Sequence, residues 1–278
     1  AYNPHDIAQL RKNVYTPQRM DIKRDKRGWK KMYGPTGLFQ VWEEPEKDAQ
    51  YLITADVCSG YQPGHAKNLD RSRIHVYQRM YGGGVHHVLS YGGRCEPDEV
   101  GEMMCLLGAW YNWAWLAPEV NSYGVATLAT IRKKLYPYVY RRLEVNTATG
   151  NWHRNQLGWY TSDNTKRLAV GTTKKKLRKG LLITHDEDVV DEMSSLIVNH
   201  TSGKVESPDG DRDDCADATM IACEVSDELY DIEADNPRKA LEKSEVKRDI
   251  ERWDAFVRSE RESNVYMSLA RDGFYDYD

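Results

Sequence analysis

The sequence predicts an α/β protein, a layered sheet with helices on its faces. Three observations predict it. Short apolar runs of strand length, at 51–57 and 115–120, alternate with longer stretches whose apolar residues recur at helical spacing, at 97–110 and 123–136. Two alternating runs flank Gly82-Gly83-Gly84, the pattern of a hairpin. A late segment, 213–225, carries Ala216, Ala218 and Ala222, small enough for a helix to lie close against a sheet.

Taken in order, residues 1–47 are polar, basic and aromatic, punctuated by Pro17, Pro35 and Pro45, and read as a loop-rich lead-in or linker. Tyr51 to Val57 suits a central strand. Arg73 to Tyr81, with Ile74, Val76, Tyr77 and Met80, is a second, and Val85 to Tyr91 returns as a third. Pro97 and Asp98 start a helix running to Trp110. Trp115 to Val120 is a fourth strand, Tyr123 to Tyr136 an amphipathic helix, and Val139 to Leu143 a fifth strand. The polar segment 146–161 holds Trp152, Trp159 and Tyr160. Thr165 to Arg178 is a basic helix stopped by Gly180, Leu181 to Thr184 a short extended piece, and Asp186 to Leu196 a helix with Asp186 at its N-cap. The domain is expected to span 48–226, with 227–278 a charged, helix-prone tail.

The bulk numbers bound the function. With 278 residues and 40% hydrophobic content the chain suits one large domain with extensions, and a net charge of −4 does not mark a general nucleic-acid binder. The charge is uneven, however. Basic residues crowd 11–31, 132–134, 141–142 and 174–179, and acids crowd 227–235, each of which also suits a solvated helix face. Five cysteines without a CxxC pair argue against zinc spacing and a disulfide framework, and for a reducing compartment. No apolar stretch is long enough to span a bilayer and no signal peptide opens the chain. Ala1, where a start methionine would stand, is expected of a processed or truncated product.

The chemistry points to acids. Asp56 ends the first apolar run, Glu119 ends the fourth, and Asp213, Asp214 and Asp217 open the small-residue helix. Carboxylates at the ends of buried strands are costly unless their charge is compensated, and a hard cation held by oxygen ligands is the usual compensation. Asp214 and Asp217 share a helix face. If that helix crosses the strand ends, the acids converge, and two divalent ions about 3.5–4 Å apart can activate water and stabilise a leaving oxygen. Mg²⁺ or Mn²⁺ suits such a set better than Zn²⁺. Taken singly, a strand-end Asp is also a turn residue, and Asp213 or Asp214 also a helix cap.

Four stretches in this order, ITADVCSG (53–60), APEVNSYGVATL (117–128), LGWYTSDNTKRLAV (157–170) and DRDDCADATMIA (211–222), resemble the nuclease domain of the large terminase subunit of tailed bacteriophages, over residues 48–226. The resemblance implies a ribonuclease H-like mixed sheet flanked by helices, and metal-dependent cleavage of double-stranded DNA concatemers during viral genome packaging. It implies Asp56, Glu119 and Asp214 as catalytic metal ligands, with Asp217 or Asp213 as a further one. It implies Mg²⁺ or Mn²⁺ in a two-metal site. As partners it implies duplex DNA, a packaging ATPase domain, a portal and a small terminase subunit, in the host cytoplasm rather than in the virion. Large terminases also carry an ATPase, whose GxxxxGK[ST] phosphate loop is absent from this sequence. The segment Gly60 to Lys67 has the wrong spacing, and Pro63 lacks the amide that would cradle phosphate. The chain thus reads as a nuclease portion without ATP hydrolysis, and the insertion 61–71 as a border of the site.

For phosphate contacts, Lys166, Arg167, Lys174, Lys175 and Lys176 are the candidates, Lys166 and Arg167 first because they follow Trp159 and Tyr160. The histidines show no ligand spacing, although His185 and His200 border the last acidic segment, where either would orient water. Two other readings stand beside the nuclease: a non-catalytic DNA-binding or docking module, and another ribonuclease H-like nuclease such as a junction resolvase or transposase.

Overall fold

A computed structural model describes residues 1–25, 28–59, 71–145, 152–199, 203–208 and 211–234. Its centre is a mixed sheet. β4 (Gln50–Asp56), β5 (Ser72–Met80) and β6 (Gly84–Gly93) form an antiparallel meander, and β7 (Trp115–Pro118) joins β4 in parallel. The glycines at 82 and 83 take positive φ, so the β5–β6 turn forms where the sequence places it.

The N-terminal stretch departs from the expected loop-rich lead-in. α1 (Pro4–Arg11) is followed by β1 (Gln18–Asp25), β2 (Gly28–Tyr33) and β3 (Phe39–Val41), and these extend the sheet in the order β2-β1-β3-β6-β5-β4-β7. The physical reason is alternation hidden among charges. In β1 only Met20 and Ile22 are fully buried, while Arg19, Asp21 and Lys23 keep the opposite face polar.

Helices cover both faces. α2 (Pro97–Trp110) and α3 (Gly124–Lys133) pack on one side, where Ile53, Ala55, Ile74, Val76, Leu116, Met104, Leu107 and Ile131 share a core. On the other side lie α4 (Asp163–Lys179), α5 (Glu187–Ser195) and α6 (Asp214–Ala234), sharing a second core with Leu52, Tyr77, Ala117, Ala169, Val170, Val189, Ala216 and Met220. α4 ends at Gly180 in the left-handed region, and Asp186 caps α5 by accepting from Asp188 N. β10 (Leu182–Ile183) pairs in parallel with the start of β6.

The expected strand 139–143 divides. Val139 bridges Leu116 at the sheet edge, and the chain then enters β8 (Arg141–Val145), which pairs with β9 (Trp152–Leu157) as a separate hairpin. A small ribbon, β11 (Ile197–Val198) with β12 (Val205–Glu206), was not foreseen because neither strand exceeds two residues. No helix among the described residues is long and apolar enough to cross a membrane.

Candidate active site

Strand parity aims the first two acids. Along β4, Tyr51, Ile53 and Ala55 face α2 and α3, so Leu52, Thr54 and Asp56 face α6. Along β7, Leu116 faces α2 and α3 and Ala117 faces α6, so Glu119, two residues on, projects to the α6 side as well. The parallel register pairs Ala55 with Pro118, and Glu119 N donates to Ala55 O at 2.9 Å, so Asp56 and Glu119 stand side by side. Two glycines hold this corner tight. A Cβ at Gly124 would collide with the Glu119 carbonyl, and one at Gly158 (φ 76°) with Pro118 O and Val120.

α6 crosses the same strand end. Thr54 Oγ1 donates to Ala218 O at 2.9 Å across the interface, where Ala216, Ala218 and Ala222 are fully buried. Asp214 and Asp217 both lie close enough to act electrostatically on Asp56. Asp213 precedes the helix and its carbonyl accepts from Asp217 N at 2.7 Å, as an N-cap residue does. Glu192, on α5, caps the same turn by accepting from Cys215 N at 2.7 Å and Ala216 N at 3.0 Å. Burial pushes the Glu192 carboxyl up to about 7 despite those bonds.

The electrostatics are those of crowded acids. Burial, then Glu119, Asp217 and Asp214, hold the Asp56 carboxyl well above the usual range. Asp217 is pushed up to about 7, first by burial and then by Asp213 and Glu119, against the pull of Lys166. Lys166 Nζ lies 2.8 Å from Asp217 Oδ2 and 3.6 Å from Asp213 Oδ2. Burial works against its charge, but these acids outweigh it and raise its pKa. Asp217 Oδ1 is buried with no hydrogen-bond partner. An oxygen-only donor set with excess negative charge and an unsatisfied carboxylate oxygen fits a hard divalent cation. No three of these carboxylates bring donor atoms within 4.8 Å of one another, a spacing met among the described residues by Glu43–His86–His185 and by His75–His87–Asp186.

The basic candidates separate. Lys166 is drawn into the acidic cluster. Arg167 and Lys175 are exposed, and Lys174 is half-buried with its Nζ 6.0 Å over the Tyr2 ring. Lys176 is corrected: it is 2% exposed, paired with Asp227 and donating to Gly83 O, so it cannot meet phosphate without breaking a buried pair. His185 is corrected as well, since it bonds His86 and the Asn13 carbonyl rather than facing the acids. His200, the segment Gly60 to Lys67, most of the 61–71 insertion and residues 235–278 of the tail lie outside the described residues.

Three further residues brace the elements around these acids. Asn121 Nδ2 donates to Thr161 O and its Oδ1 accepts from Thr161 N, both at 2.8 Å, which ties the exit of β7 to the entry of α4. Arg73, the register partner of Asp56, is buried and donates to Asp188 at 3.0 Å. Glu192 caps α6. A charged residue inside an apolar strand was the available signal for Arg73; Asn121 stood in a quoted motif without a role. A cavity of about 1260 Å³ lies elsewhere, lined by Tyr15, Trp42, His185 and Asp188 and by none of the clustered acids. A hard cation needs converging oxygen donors and not a large open volume.

No family model and no curated protein matches this chain. Solved structures do. The large terminase nuclease from thermophilic phage G20c with bound magnesium superposes with a TM-score of 0.51 at 15% identity, covering 79% of this chain and 96% of that one. The same nuclease with bound cobalt gives 0.51 at 14% identity and the same coverage. The nuclease domain of Thermus phage P74-26 large terminase reaches 0.49 at 16% identity, covering 78% and 93%. The fold is thus the ribonuclease H-like one of large terminase nuclease domains.

Proposed function

We propose that this chain is a divalent-metal-dependent endonuclease that cuts double-stranded DNA during viral genome packaging. The observation that carries the reading is the meeting of Asp56, Glu119, Asp214 and Asp217 at one end of a ribonuclease H-like sheet, with Asp56 and Asp217 held protonation-prone by burial first and then by the neighbouring acids. Asp56, Glu119 and Asp214 or Asp217 would hold Mg²⁺ or Mn²⁺; Asp213, which precedes α6 and is not among the acids that act on Asp56, is the weaker candidate. Bound there, the metal supplies Lewis acidity toward a phosphodiester oxygen and an activated water. Lys166 neutralises Asp217 and is placed to take a phosphate oxygen once a cation competes for that carboxylate. Arg167, Lys174 and Lys175 offer further backbone contacts, which supply affinity without reading sequence. The reading places the chain in the host cytoplasm beside a packaging ATPase, a portal and a small terminase subunit, with no ATP hydrolysis of its own.

Plasmid DNA incubated with the protein and Mn²⁺ or Mg²⁺ tests this. Cleavage is expected from the wild type and not from Asp56→Ala. No cutting by either at high protein concentration would sink the nuclease and leave a docking module. Strong preference for a four-way junction over linear duplex would point instead to a resolvase. Binding only the folded state, Mn²⁺ at 100 times its Kd should stabilise the protein by about 2.7 kcal/mol; a melting temperature indifferent to Mn²⁺ would contradict the ligand set.

A further inference from the structure

Where the edge of β6 passes from β10 to β3, three donor side chains meet: Glu43 just after β3, His86 on β6, and His185 just after β10. All three are half-buried, and their donor atoms lie within 4.8 Å of one another. His86 Nε2 is 2.7 Å from His185 Nε2 and 3.6 Å from Glu43 Oε1. The proposed nuclease uses none of them. Through β5, His86 is level with Tyr51, five residues from Asp56 on β4, or about 17 Å along the strands.

The hydrogen bonds fix the orientation of one ring. His185 Nδ1 is 2.7 Å from the Asn13 carbonyl, which can only accept, so Nδ1 carries the proton and Nε2 turns a lone pair toward His86. Metal-bound imidazoles are held in this way, one nitrogen donating to a backbone carbonyl and the other aimed at the ion. His86 Nε2 carries the proton that this lone pair accepts and also faces the Glu43 carboxylate; an arriving cation would displace that proton as the ring shifts to its Nδ1–H tautomer, leaving three donor atoms aimed at one point.

We propose that Glu43, His86 and His185 form a second metal site, specific for Zn²⁺ or a similar imidazole-binding transition ion. Tetrahedral ligands at about 2.1 Å from zinc lie about 3.4 Å apart. The Glu43–His86 separation of 3.6 Å already matches, and the two imidazoles need to part by about 0.7 Å, a small ring rotation. Water fills the fourth position, reaching it through the cavity of about 1260 Å³ that His185 borders. Two neutral imidazoles and one carboxylate favour zinc, cobalt or nickel, whereas the carboxylate cluster favours magnesium or manganese. The ion would pin the N-terminal strands to the body, because Glu43 and Asn13 belong to that extension and His86 and His185 to the sheet.

The test is metal binding by the full chain stripped with a chelator, titrated with Zn²⁺ and separately with Co²⁺. Wild type and Asp56→Ala should each retain one tight equivalent of Zn²⁺, raise their melting temperature with it, and give with Co²⁺ the intense visible absorption of a tetrahedral site. His86→Ala and His185→Ala should lose that equivalent. Glu43→Gln, which keeps the shape and so guards against an unfolded variant, should weaken it at least tenfold. Zn²⁺ binding that vanishes in Asp56→Ala and persists in the histidine variants would overturn the proposal, as would the absence of a tight equivalent in folded wild type. Cleavage is not the readout, so the outcome is independent of whether the chain cuts DNA.

Discussion

The same sheet buries ionisable groups in two places, and the two titrate in opposite senses. At the carboxylate end, Asp56 and Asp217 are acids whose charge is resisted. In the interior beneath β10, His75 and His87 are fully buried bases whose charge is also resisted, chiefly by burial. His87 is satisfied as a neutral ring: its Nε2 donates to Leu89 O at 2.9 Å and its Nδ1 meets Thr184 Oγ1 at 3.0 Å, whereas His75 pairs only through Nδ1, with Tyr77. Asp217 Oδ1 has no such partner. A group settled in its neutral form fits packing, whereas a carboxylate oxygen left without a partner fits the proposed cation site.

The largest expected effect removes one of the unsettled acids. Asp56→Ala should lower cleavage on the order of 10³-fold while leaving the metal-free protein as stable as wild type or more so, because it relieves repulsion among Glu119, Asp214 and Asp217. Thermal melts in chelator beside a plasmid assay check it. A variant that loses cleavage and also several degrees of melting temperature would mean that Asp56 is a packing residue.

The interior histidine gives the next effect. Its pKa is lowered to about 3 in the folded state against 6.5 for the free ring. Between these values the unfolded chain binds the proton and the folded chain does not, so stability is lost as pH falls from about 6.5 toward 3. The full span is worth on the order of 5 kcal/mol. His87→Gln, retaining a donor and an acceptor, should flatten this acid limb in denaturant titrations; an unaltered limb would place the proton uptake elsewhere.

Asp217 should do the reverse. Its pKa rises from 3.8 to about 7 on folding, so between these values the folded chain holds the proton and stability falls as pH rises. The loss is complete above about 7 and on the order of 4 kcal/mol. Asp217→Asn should remove the decline in metal-free protein, and Mn²⁺ should cancel it in wild type by taking the proton's place. A wild-type profile matching that of Asp217→Asn would remove the contrast between the two regions.

The same contrast explains what the sequence discloses. The elements that read correctly, β4 to β7 and α2 to α6, have faces whose apolar spacing exceeds their charge, and the acids stand out in the sequence because they lie at the ends of such elements, Asp56 and Glu119 after strands and Asp213, Asp214 and Asp217 at the start of α6. β1 to β3 escaped because Arg19, Lys23, Lys30 and Lys31 mask the alternation of Met20 and Ile22. Lys176 misled because a lysine in a basic helix looks solvated, and its partner Asp227 lies 51 residues away, just past the expected end of the domain. The pairing of Glu43, His86 and His185 had no local signature at all, being assembled by sheet register from three distant segments.

The smallest effect is the most discriminating, since it separates holding the site from being the site. Asn121 closes two hydrogen bonds on Thr161, one of each polarity, between the strand that ends in Glu119 and the helix that carries Lys166. Asn121→Ala leaves the Thr161 amide and carbonyl only partly shielded from water, so the stability cost should be about 1–2 kcal/mol. If Asn121 sets the distance between Glu119 and Lys166, kcat should also fall, by about tenfold, with KM for DNA nearly unchanged, because the phosphate-facing residues of α4 remain in place but out of step with the carboxylates. Asn121→Asp should not rescue: it keeps the acceptor for Thr161 N but loses the donor to Thr161 O and adds a further acid two residues from Glu119. A variant with lower stability and unchanged kcat would show that this clamp belongs with the settled interior groups and that Lys166 reaches Asp217 without it.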